Sequence, residues 1–315
     1  MTSFAFVFPG QGSQSVGMLD AWGDHPVVVQ TLQEASDALG EDITALIKNG
    51  PKEALALTTN TQPVMLVSAI AAYRVWLAET GLKPSVVAGH SLGEYSALVA
   101  SGVLTLAQAT PLVRLRAQAM QDAVPVGQGA MAAILGLDAA KIIAICANIT
   151  SASDENGSVQ AANFNDPGQT VISGSKTAVD AACEQLKAAG AKRALILPVS
   201  APFHSALMRP AAEKLQEALK SVTFATSQIP VVNNIDVSVQ TDTEAIKDAL
   251  YRQAFGPVRW VECVAAIKAR GVNTIIECGP GKVLAGLVKR IDAELTGAAL
   301  FDPASLAEVK EMLQS

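Results

Sequence analysis

The chain has 315 residues, half of them hydrophobic and 17% charged, so it can bury a sizeable core and is too apolar to be a disordered protein. A formal net charge of −6 with no run of Lys and Arg excludes the usual basic footprint of a nucleic-acid binder.

Residues 4–8, FAFVF, predict a first strand ended by Pro9 and the loop GQGSQ. The opening MTSFAFVFPGQG has neither a basic region nor a small-residue cleavage site, and its apolar run is too short to span a bilayer. A soluble cytoplasmic protein that avoids membranes is expected. Helical patterns follow over 25–39, 41–48 and 63–79, with Thr61-Gln62-Pro63 as the entry to the last and Pro63 in its first turn. A buried strand, SVVAG at 85–89, leads into a helix at 92–100 and another at 105–123. This alternation predicts a parallel sheet covered on both faces. After VPVGQG at 124–129 the pattern changes: strand 130–137, helix 138–148, strands 159–164 and 170–175, helix 176–189, strand 193–199. That βαββαβ order is the ferredoxin-like split unit. From His204 the first pattern resumes, with helices at 208–220, 243–254 and 258–269 and strands at PVVNN and TIIECG, the latter entering GPGKVLAGLVKR. The expected fold is α/β: an α/β-hydrolase-like core from 1–125 and 199–315, with a ferredoxin-like small domain at 126–198. The four cysteines, Cys146, Cys183, Cys263 and Cys278, have neither CxxC spacing nor a disulfide rhythm and read as small buried hydrophobes in a reducing compartment.

Gly89-His90-Ser91-Leu92-Gly93 fits G-x-S-x-G between a buried strand and a helix, the setting of a nucleophile elbow. There Ser91 is exposed on a sharp turn, both glycines supply backbone freedom and close packing, and the helix N-terminus offers free N–H groups. The alternative is Ser91 as an N-cap with Glu94 completing a capping box. A serine nucleophile needs a base, and only three histidines are available. His25 lies in a polar N-terminal segment, and His90 adjoins Ser91 on a turn where neighbouring side chains point apart. His204, in a loop between a strand and a helix, is the base by exclusion; its other reading is a capping or core histidine. Between Ser91 and His204 in chain order lie Asp122, Asp138, Asp154, Asp166 and Asp180, but none follows a main-sheet strand. A Ser–His dyad is expected, with His204 oriented by a backbone carbonyl or an amide.

On a wheel of about 100° per residue, Arg116 falls among Ala109, Leu112, Val113, Ala119, Met120 and Ala123 on the apolar face of helix 105–123. Arg114 lies opposite with Gln118 and Gln121, on the solvated face. An inward guanidinium cannot shed its charge and needs an anion, either an internal Asp or Glu or the carboxylate of a ligand.

At this point FPGQGSQ (8–14), NTQP (60–63), GHSLGEYSALV (89–99), PFHSALM (202–208) and PVVNN (230–234) resemble, in order and across the chain, the malonyl-CoA:acyl carrier protein transacylases, most closely the stand-alone bacterial enzymes of fatty acid synthesis. The resemblance implies a two-step transfer in which malonyl-CoA acylates Ser91 and the phosphopantetheine thiol of acyl carrier protein takes the malonyl group. It implies Ser91 and His204 as the catalytic pair, Gln11 and Leu92 as the backbone N–H donors of an oxyanion hole, and Gln253, in Arg252-Gln253-Ala254, as the residue whose main-chain carbonyl orients His204. It implies Arg116 for the malonyl carboxylate, Gln62 as a lining residue, and Phe203 as a side chain that crowds an α-methyl branch and disfavours methylmalonyl groups. Gln62 also reads as a polar residue at a helix start, and Phe203 as packing.

Gly279-Pro280-Gly281-Lys282 lacks the upstream Gly and following Ser/Thr of a phosphate loop and reads as a turn. No metal-ligand spacing or dinucleotide fingerprint is evident, so no cofactor is expected beyond the thioester substrates. Acyl carrier proteins are acidic, and Lys187, Lys192 and Arg193, or Lys282, Lys289 and Arg290, are candidate docking residues on a chain expected to be a monomer. Two rival readings are a serine hydrolase with water as acceptor, against which the absent acid and inward Arg116 count, and a non-catalytic acyl-binding subunit, against which the Ser91/His204 pair counts.

Overall fold

A computed structural model describes residues 3–152 and 157–314. Alternation in the first strand, β1 (Phe4–Phe8), sets the layers: Phe4, Phe6 and Phe8 enter one core while Ala5 and Val7 enter another. The first core is closed by helices α1 (Pro26–Leu39), α2 (Ile43–Asn49), α3 (Lys52–Ala56) and α4 (Thr58–Thr80). Helix α4 starts at Thr58 rather than at Pro63, which sits inside it. The ring removes only the bond to the Thr59 carbonyl, while Asn60 and Thr61 side chains donate to the carbonyls of Ala54 and Leu55 and tie the early start down. Gln62 is therefore an interior, fully buried helix residue and not a polar helix start.

Strand β2 (Val86–Gly89) follows, then α5 (Gly93–Ala100) and α6 (Leu106–Asp122), the latter opened by a capping box between Thr105 and Gln108. The chain next builds a separate antiparallel sheet from β3 (Gly129–Leu135), α7 (Ala139–Ala152), β4 (Val159–Asp166), β5 (Gln169–Ser175), α8 (Lys176–Ala188) and β6 (Arg193–Ile196). Its strand order β4-β5-β3-β6 is that of the ferredoxin-like unit. One face of this sheet packs on α7 and α8, and Met131, Ala133, Ala162 and Val171 on the other face join the first core.

The return segment gives α9 (Arg209–Lys220), the two-residue strand β7 (Val231–Val232), α10 (Thr243–Phe255), α11 (Trp260–Lys268), β8 (Thr274–Cys278) and α12 (Val283–Ile291). Two elements without a predicted counterpart follow, β9 (Thr296–Leu300) and α13 (Pro303–Gln314). The main sheet has the order β7-β2-β1-β8-β9, all parallel, with α11 and α12 closing the second core. The two sheets are tied through β4, where the N–H of Phe164 donates to Val258 and that of Val258 to Ala162. Among the described residues no helix is long and apolar enough to cross a membrane.

Candidate active site

Strands β1 and β2 pair in register with Phe8 opposite Gly89, so the loops that follow them leave the carboxyl edge of the sheet side by side. The β2 loop turns at Ser91, whose φ of 53° is left-handed. The flanking glycines serve close approach: a Cβ on Gly89 would lie 1.8 Å from the Gly93 carbonyl carbon, and one on Gly93 2.0 Å from the Phe8 oxygen. The freedom expected of the glycines is thus demanded of the serine itself. A Cβ on Gly10 would lie 2.8 Å from the His90 oxygen, so the first loop is pressed against the elbow and carries Gln11 beside it. The N–H groups of Gln11 and Leu92 donate to no acceptor among the described residues.

His204 Nε2 lies 2.6 Å from Ser91 Oγ, and Nδ1 lies 2.9 Å from the Gln253 oxygen and 3.2 Å from that of Gly256. Both Nδ1 partners are carbonyls, so the ring proton sits on Nδ1 and Nε2 accepts from the serine hydroxyl. Burial, reinforced by the nearby Arg116 charge, lowers the imidazole pKa to about 3. His204 is therefore a neutral base at neutral pH. No carboxylate touches it among the described residues. Asp122 accepts from Gln118, Asp138 from the first turn of α7, Asp166 pairs with Arg290 and Asp180 with Lys176, while Asp154 lies outside the described residues. The other histidines are engaged elsewhere: His25 caps α1 and His90 Nε2 meets Asn165 at 2.8 Å.

Arg116 is 2% exposed, as its place on α6 requires. Its Nη1 donates to Gln62 Oε1 at 2.8 Å, and Nη2 to Gln253 Oε1 at 3.1 Å and to Ser91 Oγ at 3.3 Å. The guanidinium lies over the Tyr95 ring, and among the described residues no Asp or Glu forms an ion pair with it. The alternative of an internal ion pair for Arg116 is thus not met. Arg114, expected to be merely solvated, forms a two-pronged pair with Glu41.

Gln62 completes the arginine's setting and donates to Gln11 Oε1 at 3.3 Å. Phe203 is buried next to the base. The six candidate docking residues are all exposed, but Arg290 is engaged by Asp166 and Lys282 lies over the Phe301 ring.

Two further residues, Asn234 and Glu94, join the site, together with the side chain of Gln253. Asn234 accepts from the Ser91 N–H at 2.8 Å and donates to the Gly89 oxygen at 2.7 Å. The Gln253 side chain donates to the Ser91 oxygen at 2.9 Å. Glu94, fully buried, makes no capping box and instead accepts from Asn234 N–H and Gln253 Nε2. Only the Asn233-Asn234 pair carries a sequence signal, two amides at the carboxyl end of a short apolar run.

This arrangement can deprotonate Ser91 as its oxygen attacks an acyl carbon, hold the resulting oxyanion on two amides, and meet a carboxylate at the far end of a short acyl group. Among the described residues no cluster of three or more His, Cys, Asp or Glu could hold a metal ion.

The acyl transferase domain model matches residues 5–299. The chain is 54% identical over 308 residues to the malonyl CoA-acyl carrier protein transacylase of Salmonella typhimurium, covering 98% of each. It is similar to the crystal structure of an acyl-carrier-protein S-malonyltransferase from Burkholderia pseudomallei, with TM-score 0.95, 61% identity and full coverage of both chains. A third likeness, with TM-score 0.95 and 51% identity over 99% of this chain and all of that one, is to a malonyl-transacylase in complex with a type II polyketide synthase acyl carrier protein.

Proposed function

Because the chain belongs to the acyl transferase domain family, we propose that it moves the malonyl group of malonyl-CoA onto the phosphopantetheine thiol of acyl carrier protein through a malonyl-Ser91 intermediate, supplying fatty acid synthesis. The observation that carries this reading is one oxygen with two neighbours: Ser91 Oγ has a neutral imidazole at 2.6 Å and an unpaired guanidinium at 3.3 Å. A base that close activates the serine; a cation that close selects an acyl group short enough to bring its own carboxylate to it.

His204 Nε2 takes the Ser91 proton as Oγ bonds to the thioester carbon, and the oxyanion rests on the Gln11 and Leu92 N–H groups. The carbon–sulfur bond then breaks, and His204 returns the proton to the departing CoA sulfur. In the second half the carrier thiol gives its proton to His204 and attacks the ester, and Ser91 recovers a proton as it leaves. Nothing in this sequence needs a cofactor. Arg116 holds the carboxylate throughout, with Gln62 fixing its Nη1, and Phe203 narrows the space at the α carbon. The chain is expected to act as a monomer, and the buried free cysteines support a cytoplasmic setting.

Mass spectrometry of the intact protein after mixing with malonyl-CoA alone is expected to show one malonyl adduct, mapped to Ser91 and discharged on adding holo acyl carrier protein. Rapid CoA release without an accumulating adduct would instead mean that water is the acceptor.

The docking surface for the acidic carrier includes the exposed Lys187, Lys192 and Arg193 on the small domain and Lys282, Lys289 and Arg290 on and before α12. Raising ionic strength is expected to slow discharge to carrier protein about tenfold and to leave acylation by malonyl-CoA within about twofold. Equal salt sensitivity of the two half-reactions would remove the patch from the account.

A further inference from the structure

The side chain of Gln253 sits at the crossing of three interactions, and each partner accepts only one end of the amide. Arg116 carries donors alone, so it must face Oε1; the Ser91 carbonyl and an ionised Glu94 carry acceptors alone, so they must face Nε2. A second arm runs from the same Glu94 oxygen through the Asn234 N–H at 2.9 Å to the Asn234 side chain and on to the Ser91 N–H. The two arms grip the peptide groups on either side of the Ser91 Cα, the carbonyl through Gln253 and the N–H through Asn234.

We propose that Glu94 is a positioning residue for this reaction: its carboxylate anchors the Gln253 amide and the Asn234 N–H, and through them the placement of Arg116 and the left-handed turn at Ser91. This deepens the malonyl-transfer reading of the same site and rests on it. Glu94 touches no substrate. It stands behind the groups that do, and it is the one member of the network whose charge can change near neutrality.

Burial pushes the Glu94 carboxyl up to about 7, against the hydrogen bonds from Gln253 and Asn234 and the attraction of Arg116 on α6. Asp236, on the loop after β7, adds a like charge, and Cys263 of α11 stays a thiol because burial pushes its pKa well above the ordinary thiol range. Glu94 also lines a cavity of about 10 Å³ with Asn233 and Gln240, room for about one water molecule. Below its pKa the carboxyl loses its charge, and its hydrogen bonds from Gln253 Nε2 and the Asn234 N–H weaken. Arg116 then loses a fixed partner. His204, with a pKa near 3, does not titrate in the same range, so the two groups separate on the pH axis.

The experiment measures single-turnover acylation of Ser91 by malonyl-CoA and by acetyl-CoA between about pH 6 and about pH 8, in the wild type and in Glu94→Gln. In the wild type the malonyl-to-acetyl ratio is expected to rise about tenfold as Glu94 ionises. In Glu94→Gln the ratio is expected to be flat with pH. Malonyl acylation should fall on the order of 100-fold, because a misplaced arginine penalises that substrate, and acetyl acylation only about tenfold, through the loosened serine. A flat ratio in the wild type overturns the proposal, whether or not the variant folds. So does a variant that keeps the wild-type ratio and pH profile. If the wild type takes no malonyl group at all, the malonyl-transfer reading itself fails, a result distinct from either of these.

Discussion

Replacing Ser91 by alanine is expected to abolish malonyl transfer, with a loss on the order of 10⁴-fold or more, and replacing His204 by alanine to cost on the order of 10³-fold. The two losses should not add in the double variant, because base and nucleophile act on one proton. The reason lies in the 2.6 Å contact between Oγ and Nε2 and in the carbonyls of Gln253 and Gly256 that hold the ring in the accepting tautomer. An aspartate partner would raise the basicity of His204; two carbonyls and deep burial leave it low, at a pKa of about 3. The sign of the pH effect follows. A depressed pKa keeps the imidazole neutral as pH falls, so in Glu94→Gln, which lacks the Glu94 ionisation, the remaining acylation through His204 should persist at about pH 5, where an ordinary histidine would be mostly protonated. Acylation rates of that variant on acid titration check this, and a loss of activity centred near pH 6.5 there would show that His204 titrates as an exposed histidine.

Replacing Arg116 by alanine is expected to lower kcat/KM for malonyl-CoA by about 3 kcal/mol, roughly 100-fold, while acetyl-CoA changes less than about tenfold. The guanidinium is buried and held by two neutral amides, so a carboxylate entering the site finds a cation with no competing anion in contact. A fatty acyl chain would leave that charge buried and unpaired. Paired kinetics with the two thioesters, alongside thermal unfolding to confirm that the variant folds, decide the point. Equal losses for both substrates would make Arg116 a structural residue.

Much of this was legible in the sequence where a local rule had no competitor. The alternation of FAFVF, the strand–turn–helix around GHSLG and the single inward arginine of α6 each follow from geometry that depends on neighbours in the chain. His204 could be chosen because there were only three histidines to sort. The network behind the site was not legible. Glu94 meets Asn234 and Gln253 across more than a hundred residues of chain, and a glutamate in the first turn of a helix reads as part of a capping box. The start of α4 failed for a related reason: Pro63 signals an entry, and tertiary contacts from Asn60 and Thr61 outweigh it. Of the two tasks assigned to the elbow glycines, close packing holds, while the left-handed turn falls to Ser91, a detail visible only once strand and helix are packed.

The pairing of Phe8 with Gly89 makes the sheet a ruler for the chemistry. Gln11 and Leu92 are some eighty residues apart in the chain, yet the oxyanion they are to share tolerates only about 0.5 Å of misplacement. Parallel strands cannot drift by such fractions; their register moves in whole residues of about 3.3 Å, and each such step turns every side chain to the opposite face. A slip that spoiled the oxyanion hole would also drive Phe4, Phe6 and Phe8 into the space filled by Ala5 and Val7. Correct assembly and correct catalytic spacing are therefore one discrete event, and the chain cannot fold with a slightly mistuned hole.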